Sequence, residues 1–568
     1  MNNMKFSEYT YERPDIEQLR LDFSKLISEF KESGTADGQL TIIEKVNQLR
    51  SGFETMYQLC IIRHSIDTRE TFYNSEQNYF DENLPLFESF ISEYYSALIN
   101  SSFKDVVENK FGKQLFRIAE MQLKAFIPEI IEDLINENKL STEYQELIAS
   151  ALILFDGGEK TLAELTPYIR STDRTIRKQA AIARWNFFVD HESQLDRIFD
   201  DLVKTRNTIA IKLGFKNFVE VGYLRMMRTD YNAEMVKDFR KQILDIVVPL
   251  SVEIKNKQAK RLNLSELKYY DEPLLFKSGN AKPKGTSEEI IETGKLMYEE
   301  LSEETGEFFS FMYSKNLMDL EAKKGKASGG YCTYIPGFRS PFIFSNFNGT
   351  SGDIDVLTHE VGHAFQVYMS REFETLEYLW PTSDAAEIHS MSMEYFAYPW
   401  MDNFFNGEAD KYRYAHLLDS ILFLPYGVAV DEFQHVIYEQ PELTPAQRKE
   451  LWSSIEKKYL PLRNYEDNEF LKKGGIWQMQ AHIYQSPFYY IDYTLAQICA
   501  FQFWFKSQQN KKEAFNDYVK LCKAGGSRSF LELIKFANLK SPFEKETVEE
   551  VIKKVSSFLG KVDDSKLN

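Results

Sequence analysis

The chain has 568 residues, 43 % of them hydrophobic and 14 % aromatic, which excludes disorder and supplies more than one ordinary core. Its net charge of −18, with an isoelectric point near 5.2, repels phosphate backbones and anionic lipid. Nucleic acid and membrane surfaces are therefore excluded as main partners. The four cysteines, Cys60, Cys332, Cys499 and Cys522, are scattered without a C-x-x-C pair and predict free thiols.

In chain order, the N-terminus lacks the apolar core of a signal peptide, and the expected location is the cytoplasm. Apolar residues three and four apart predict amphipathic helices over Asp15 to Phe30, Leu84 to Leu98 and Phe111 to Asn138. Loops are expected at Asp156-Gly157-Gly158, Lys277 to Ser287 and Lys472 to Gly475. A boundary near residue 195 divides an N-terminal helical part (1–195) from the part that carries the chemistry (196–568). Two short strands are expected on either side of Pro336-Gly337, the second being Phe342 to Phe347. The most apolar stretch, Leu417 to Val430, holds Asp419 and Pro425 and is too short to span a bilayer.

Chemistry concentrates in His359-Glu360-Val361-Gly362-His363. A helix turns about 100° per residue, so His359 and His363 share a face and can offer two imidazoles to one ion, with Glu360 beside them to reach a metal-bound water. On a helical wheel Ile354, Leu357, Val361, Ala364, Phe365 and Tyr368 form the opposite, apolar side. Asp353 is the expected N-cap. Gly362 costs about 1 kcal/mol in a helix interior and signals close approach by another segment.

A hydrolytic site of this kind needs a third ligand. The metzincin continuation fails, because Gln366 and Met369 stand where a glycine and a third histidine are required. A carboxylate on a later helix remains. Pro381-Thr382-Ser383-Asp384 opens such a helix, with Asp384 and Glu387 at capping-box spacing. Glu387 and Glu394 are seven apart and share a face; either can be the ligand, the other orienting a histidine. His389 is a weaker candidate that points elsewhere. His64, His191, His416 and His435 read as ordinary surface or core residues.

These segments, together with Ala386 to Met391 and His482-Ile483-Tyr484-Gln485-Ser486-Pro487-Phe488-Tyr489-Tyr490-Ile491-Asp492-Tyr493, resemble the M3 metallopeptidases, and within them the oligoendopeptidase F and Pz-peptidase group. Arg206-Asn207, Lys212 to Phe218 and Arg228-Thr229-Asp230-Tyr231 add to the likeness. The resemblance implies a mainly α, zincin-type (gluzincin) body with a small β-sheet beside the metal helix and a deep channel that admits short peptides. It implies one zinc ion on His359, His363 and Glu387, with Glu360 as general base. It further implies that His482, Tyr490 and Tyr493 face the scissile bond, Tyr493 being the first choice for the oxyanion and Tyr490 the second. Phe342 to Phe347 is the expected edge for an added peptide strand, and Gly329-Gly330 a hinge or a plain turn. The competing readings are a zinc aminopeptidase, disfavoured by the lack of G-x-M-E-N, and a helical peptide-binding protein with a non-catalytic metal site.

Overall fold

The computed structural model describes residues 4–567. Helices dominate, as the amphipathic pattern predicts. The helix expected from Asp15 spans Ile16–Glu32, with the Asp15 carboxylate accepting from the Gln18 N–H. The helix expected around Leu84 is the end of a longer one, Thr71–Ile99. The run from Phe111 to Asn138 is not one helix. Lys113–Ala125 ends at an extended Phe126, and Ile131–Ala149 starts after Pro128. Proline forces the residue before it out of the helical region, and periodicity alone does not register that.

Packing separates two main bodies of core. One is built by the helices between Phe23 and Ala119, with Tyr378 joining it from the distant chain. The other runs from Tyr9 and Phe126 through Val555 and includes everything around the His359 helix. A cavity of about 560 Å³ lies between the N-terminal helices, represented by Tyr57 and Glu88, and Glu137, Arg225 and Gln485. Among the described residues no helix is long and apolar enough to cross a membrane.

A three-stranded sheet flanks the His359 helix. Ser340–Phe347 is its central strand, parallel to Met318–Glu321 and antiparallel to Tyr331–Ile335. The two strands around Pro336-Gly337 are thus as expected, paired from Tyr331 with Phe344 to Ile335 with Ser340. The expectation that Phe342 to Phe347 offers a free edge is wrong. That strand is bonded on both sides and is buried at every position except the partly buried Asn346. The edge strands are Met318–Glu321 and Tyr331–Ile335.

The sheet leads directly into the helix Gly352–Ser370. Asp353 does not cap this helix. Its two carboxylate oxygens accept from the backbone N–H groups of Asn348 (2.9 Å) and Gly349 (2.8 Å), clamping the strand-to-helix turn. The helix therefore leaves the sheet at a fixed angle, and its six predicted apolar-face residues are all buried. The next helix, Ser383–Phe396, is buried from Asp384 onward and packs against both Gly352–Ser370 and Tyr490–Gln509. Gly362 permits the first contact. A Cβ there would stand 2.6 Å from Ser390 Cα and 2.7 Å from the His389 carbonyl oxygen, the close approach its position predicted.

Candidate active site

A buried helix can carry Glu387, His389 and Glu394 only if each finds a partner, because an isolated buried charge is expensive. Glu387 finds the two histidines. Its Oε2 lies 3.2 Å from His359 Nε2 and 3.3 Å from His363 Nε2, and it also accepts from Ser390 Oγ at 2.8 Å. Burial alone would raise the Glu387 carboxyl, but His363 and His359 overcome it and hold it well below the usual carboxylate range. The capping box expected between Asp384 and Glu387 does not form. Asp384 accepts instead from Thr382 Oγ1 and the Ala385 N–H.

Glu394, two turns further on, meets the other side of the same imidazole. Its Oε1 lies 2.7 Å from His359 Nδ1 and its Oε2 2.7 Å from His416 Nε2. His416 Nδ1 is in turn 2.7 Å from the Tyr398 hydroxyl. The reading of His416 as a bystander is thus corrected. No local motif marks it; 22 residues of chain separate it from Glu394, and only packing of the helix Ala409–Glu439 brings them together. With Glu394 accepting at Nδ1, a His359 proton sits there, and Nε2 is the ring atom turned toward Glu387 and left to ligate an ion shared with it. His389 is buried with Nδ1 on the Ala385 carbonyl, and burial lowers its pKa to about 4. It stays outside the cluster.

Among the described residues, His359, His363 and Glu387 are the single group of three whose ligand atoms converge, all within 4.8 Å of one another. Two imidazoles and one carboxylate fit a divalent ion and leave a coordination position for water. Glu360 stands next to them with Oε2 buried and without a hydrogen-bond partner. Burial raises its carboxyl, an effect His359 and His363 oppose. A partnerless acceptor in that place fits a water molecule between it and the ion. Gly330, at the start of the edge strand Tyr331–Ile335, packs over it: a Cβ there would be 3.4 Å from Glu360 Oε1 and 3.1 Å from Val356 Cγ1. Close packing accounts for that glycine.

The distal segment adjoins the site, close enough for the Glu387 charge to act on His482 and Tyr493. His482 lies on the short helix Ala481–Gln485, and its Nε2 is 3.1 Å from the Tyr493 hydroxyl. Burial lowers the His482 pKa to about 4, so the ring is neutral at physiological pH. Tyr490 packs its ring on Phe423, Tyr426 and His482.

Residues 6–126 match the Peptidase M3 N-terminal domain, and residues 168–552 match Peptidase family M3. The chain is a member of peptidase family M3. It is therefore a metalloendopeptidase, and membership brings a catalytic metal. A solved structure of Pz peptidase A with an inhibitor is 57 % identical to this M3 peptidase, with a TM-score of 0.98 over 99 % of this chain and 100 % of that one. An oligoendopeptidase F homolog of Lactococcus lactis subsp. lactis (strain IL1403) is 23 % identical over 88 % of this chain and 86 % of its own length. The oligoendopeptidase F of Enterococcus faecium shares the fold at 15 % identity, with a TM-score of 0.63 over 96 % and 97 % of the two chains.

One residue of this candidate site escaped the sequence reading. The Tyr489 hydroxyl donates to Glu387 Oε1, opposite the oxygen that faces the histidines. The signal was present in the Tyr489-Tyr490 pair but unusable. Phe488, just before it, has a left-handed backbone (φ 69°), so helical spacing cannot be counted through this point. Three partners hold that conformation: Arg228 on the Phe488 carbonyl, Gln434 Oε1 on its N–H at 2.9 Å, and Gly222, whose lack of a side chain admits the ring. Arg228, noted only as part of a motif, also pairs with Asp492 at 2.7 Å.

Proposed function

We propose that this M3 peptidase hydrolyses internal bonds of short oligopeptides with one zinc ion held by His359, His363 and Glu387. The donor set of two nitrogens and one oxygen favours zinc. When bound, the ion polarises the scissile carbonyl and acidifies water. Glu360 takes a proton from the attacking water at Oε2 and returns it to the leaving amine. The Tyr493 hydroxyl donates to the developing oxyanion, with Tyr490 as the second candidate, and His482 supports the donor. Tyr489 and Glu394 orient Glu387 and His359.

The substrate backbone adds to the free edge of Tyr331–Ile335, which begins over Glu360. The limit to short peptides rests on the likeness to the oligoendopeptidases, since the cavity that reaches Gln485 is lined by none of the metal-site residues. In the two-part division proposed at residue 195, every catalytic group belongs to the second part. The acidic composition and the free state of all four cysteines support a cytoplasmic setting.

The observation that carries this reading is the partnerless, buried Glu360 oxygen beside three converging metal-ligand side chains. Digestion of internally quenched, end-blocked peptides of graded length tests it. Cleavage is expected for short blocked peptides and not for folded proteins. It should vanish with chelator and return with zinc. Cleavage that survives chelation, or that requires a free N-terminus, overturns the proposal.

A further inference from the structure

Behind His482 runs a chain of hydrogen bonds that ends on a residue with no assigned role. The Tyr426 hydroxyl donates to Gln480 Oε1 at 3.2 Å. Gln480 Nε2 lies 2.9 Å from His482 Nδ1, and His482 Nε2 lies 3.1 Å from the Tyr493 hydroxyl. A neutral imidazole has one N–H and one lone pair. The His482 ring is neutral because burial lowers its pKa to about 4, so the choice between its two tautomers decides what it presents to Tyr493.

As the Gln480 amide lies in the structure, its oxygen accepts from the Tyr426 phenol and its N–H is turned toward His482. An N–H can be met only by a lone pair, so Nδ1 is the acceptor and the proton sits on Nε2. There it donates to the Tyr493 oxygen and leaves the Tyr493 proton free for a substrate carbonyl. With the amide reversed, Nδ1 would carry the proton, and the Nε2 lone pair would consume the phenol proton of Tyr493.

We infer that Gln480, held by Tyr426, is a positioning residue that keeps His482 in the Nε2–H tautomer and so keeps the Tyr493 hydroxyl available as the oxyanion donor. The inference rests on the role proposed above for Tyr493. Gln480 is only partly buried at the rim of its short helix, so it can be replaced without opening a core.

The test is nitrogen NMR of the full-length, metal-loaded enzyme with isotope-labelled histidine, the His482 signals being assigned by their loss in His482→Gln. At about pH 7 the wild type should show an unprotonated Nδ1 and a proton-coupled Nε2. Gln480→Glu, which can only accept, should protonate Nδ1. Gln480→Met should mix the tautomers and lower kcat about tenfold or more with little change in KM, a fraction of the hundred-fold or larger effect of a positioned proton donor. A protonated Nδ1 in the neutral wild-type ring, or an unchanged tautomer in Gln480→Met, overturns the inference. An undiminished kcat in Tyr493→Phe overturns instead the role given to Tyr493, while the tautomer assignment stands.

Discussion

The two halves of the proposed active site are built in different ways. His359, Glu360 and His363 stand on an uninterrupted helix, where spacing alone sets direction. Tyr489, Tyr490 and Tyr493 follow a left-handed Phe488 at the start of another helix, and their directions depend on Arg228, Gln434 and Gly222. The first half is specified locally and the second by contacts with segments from 54 to 260 or more residues away. A regular helix transmits geometry along the chain; one non-helical residue stops the transmission.

Substitutions sharpen this contrast. The largest effect is expected from Glu360→Gln, which keeps shape and metal ligands but removes the proposed general base. The kcat should fall roughly 10²–10⁴-fold at unchanged metal content, measured by steady-state kinetics and elemental analysis. Next comes Tyr493→Phe, expected to lower kcat by about 10²–10³-fold with KM nearly unchanged, as for loss of one oxyanion donor. Tyr490→Phe should cost less. If the order of the two tyrosines is reversed, the directions assigned past Phe488 are wrong.

His389 gives a pH test of the metal-helix half. Its folded pKa of about 4 lies below the unfolded value near 6.5, so the unfolded chain binds more protons in between. The stability it contributes is fully present above about pH 6.5 and is lost as pH falls toward 4, by about 3 kcal/mol in total. In metal-free protein, unfolding midpoints of His389→Gln should depend less steeply on pH in that window. An identical slope would show that His389 is not buried neutral.

Glu394→Gln leaves the three ligand side chains in place and weakens the partner of His359 Nδ1. Metal affinity should fall about 10–100-fold, read by competition with a chelator. An unchanged affinity would remove Glu394 and His416 from the site. The smallest effect is expected from Gly362→Ala, which forces the two helices apart at Ser390. Overpacking there should cost about 1–3 kcal/mol, and it should also loosen the metal. Stability loss with intact metal affinity would mean that the helices yield elsewhere.

Much of the first half was legible without coordinates. The apolar face, the histidine pair, the tight glycine and the strands around Pro336-Gly337 all follow from local periods and turn chemistry. The break at Pro128, the buried centre strand and the true role of Asp353 were missed. In the last two cases the partner lies outside the pattern that was counted. Glu387 and Glu394 were equivalent by helical spacing, yet seven residues is roughly 10 Å of helix, so one ion cannot use both. The His359 ring, with Nε2 toward one and Nδ1 toward the other, makes the distinction.

By itself the sequence determined that this chain folds as helices, that one helix offers two imidazoles and a carboxylate to a cleft, and that a later helix must supply another acid. Those are statements about near neighbours, and the 3.6-residue repeat is enough to make them. Which acid meets the imidazoles, that His416 stands behind Glu394 and that Tyr489 rests on Glu387 were decided only when distant helices packed. Each depends on the position of a side chain relative to a segment that no local period reaches.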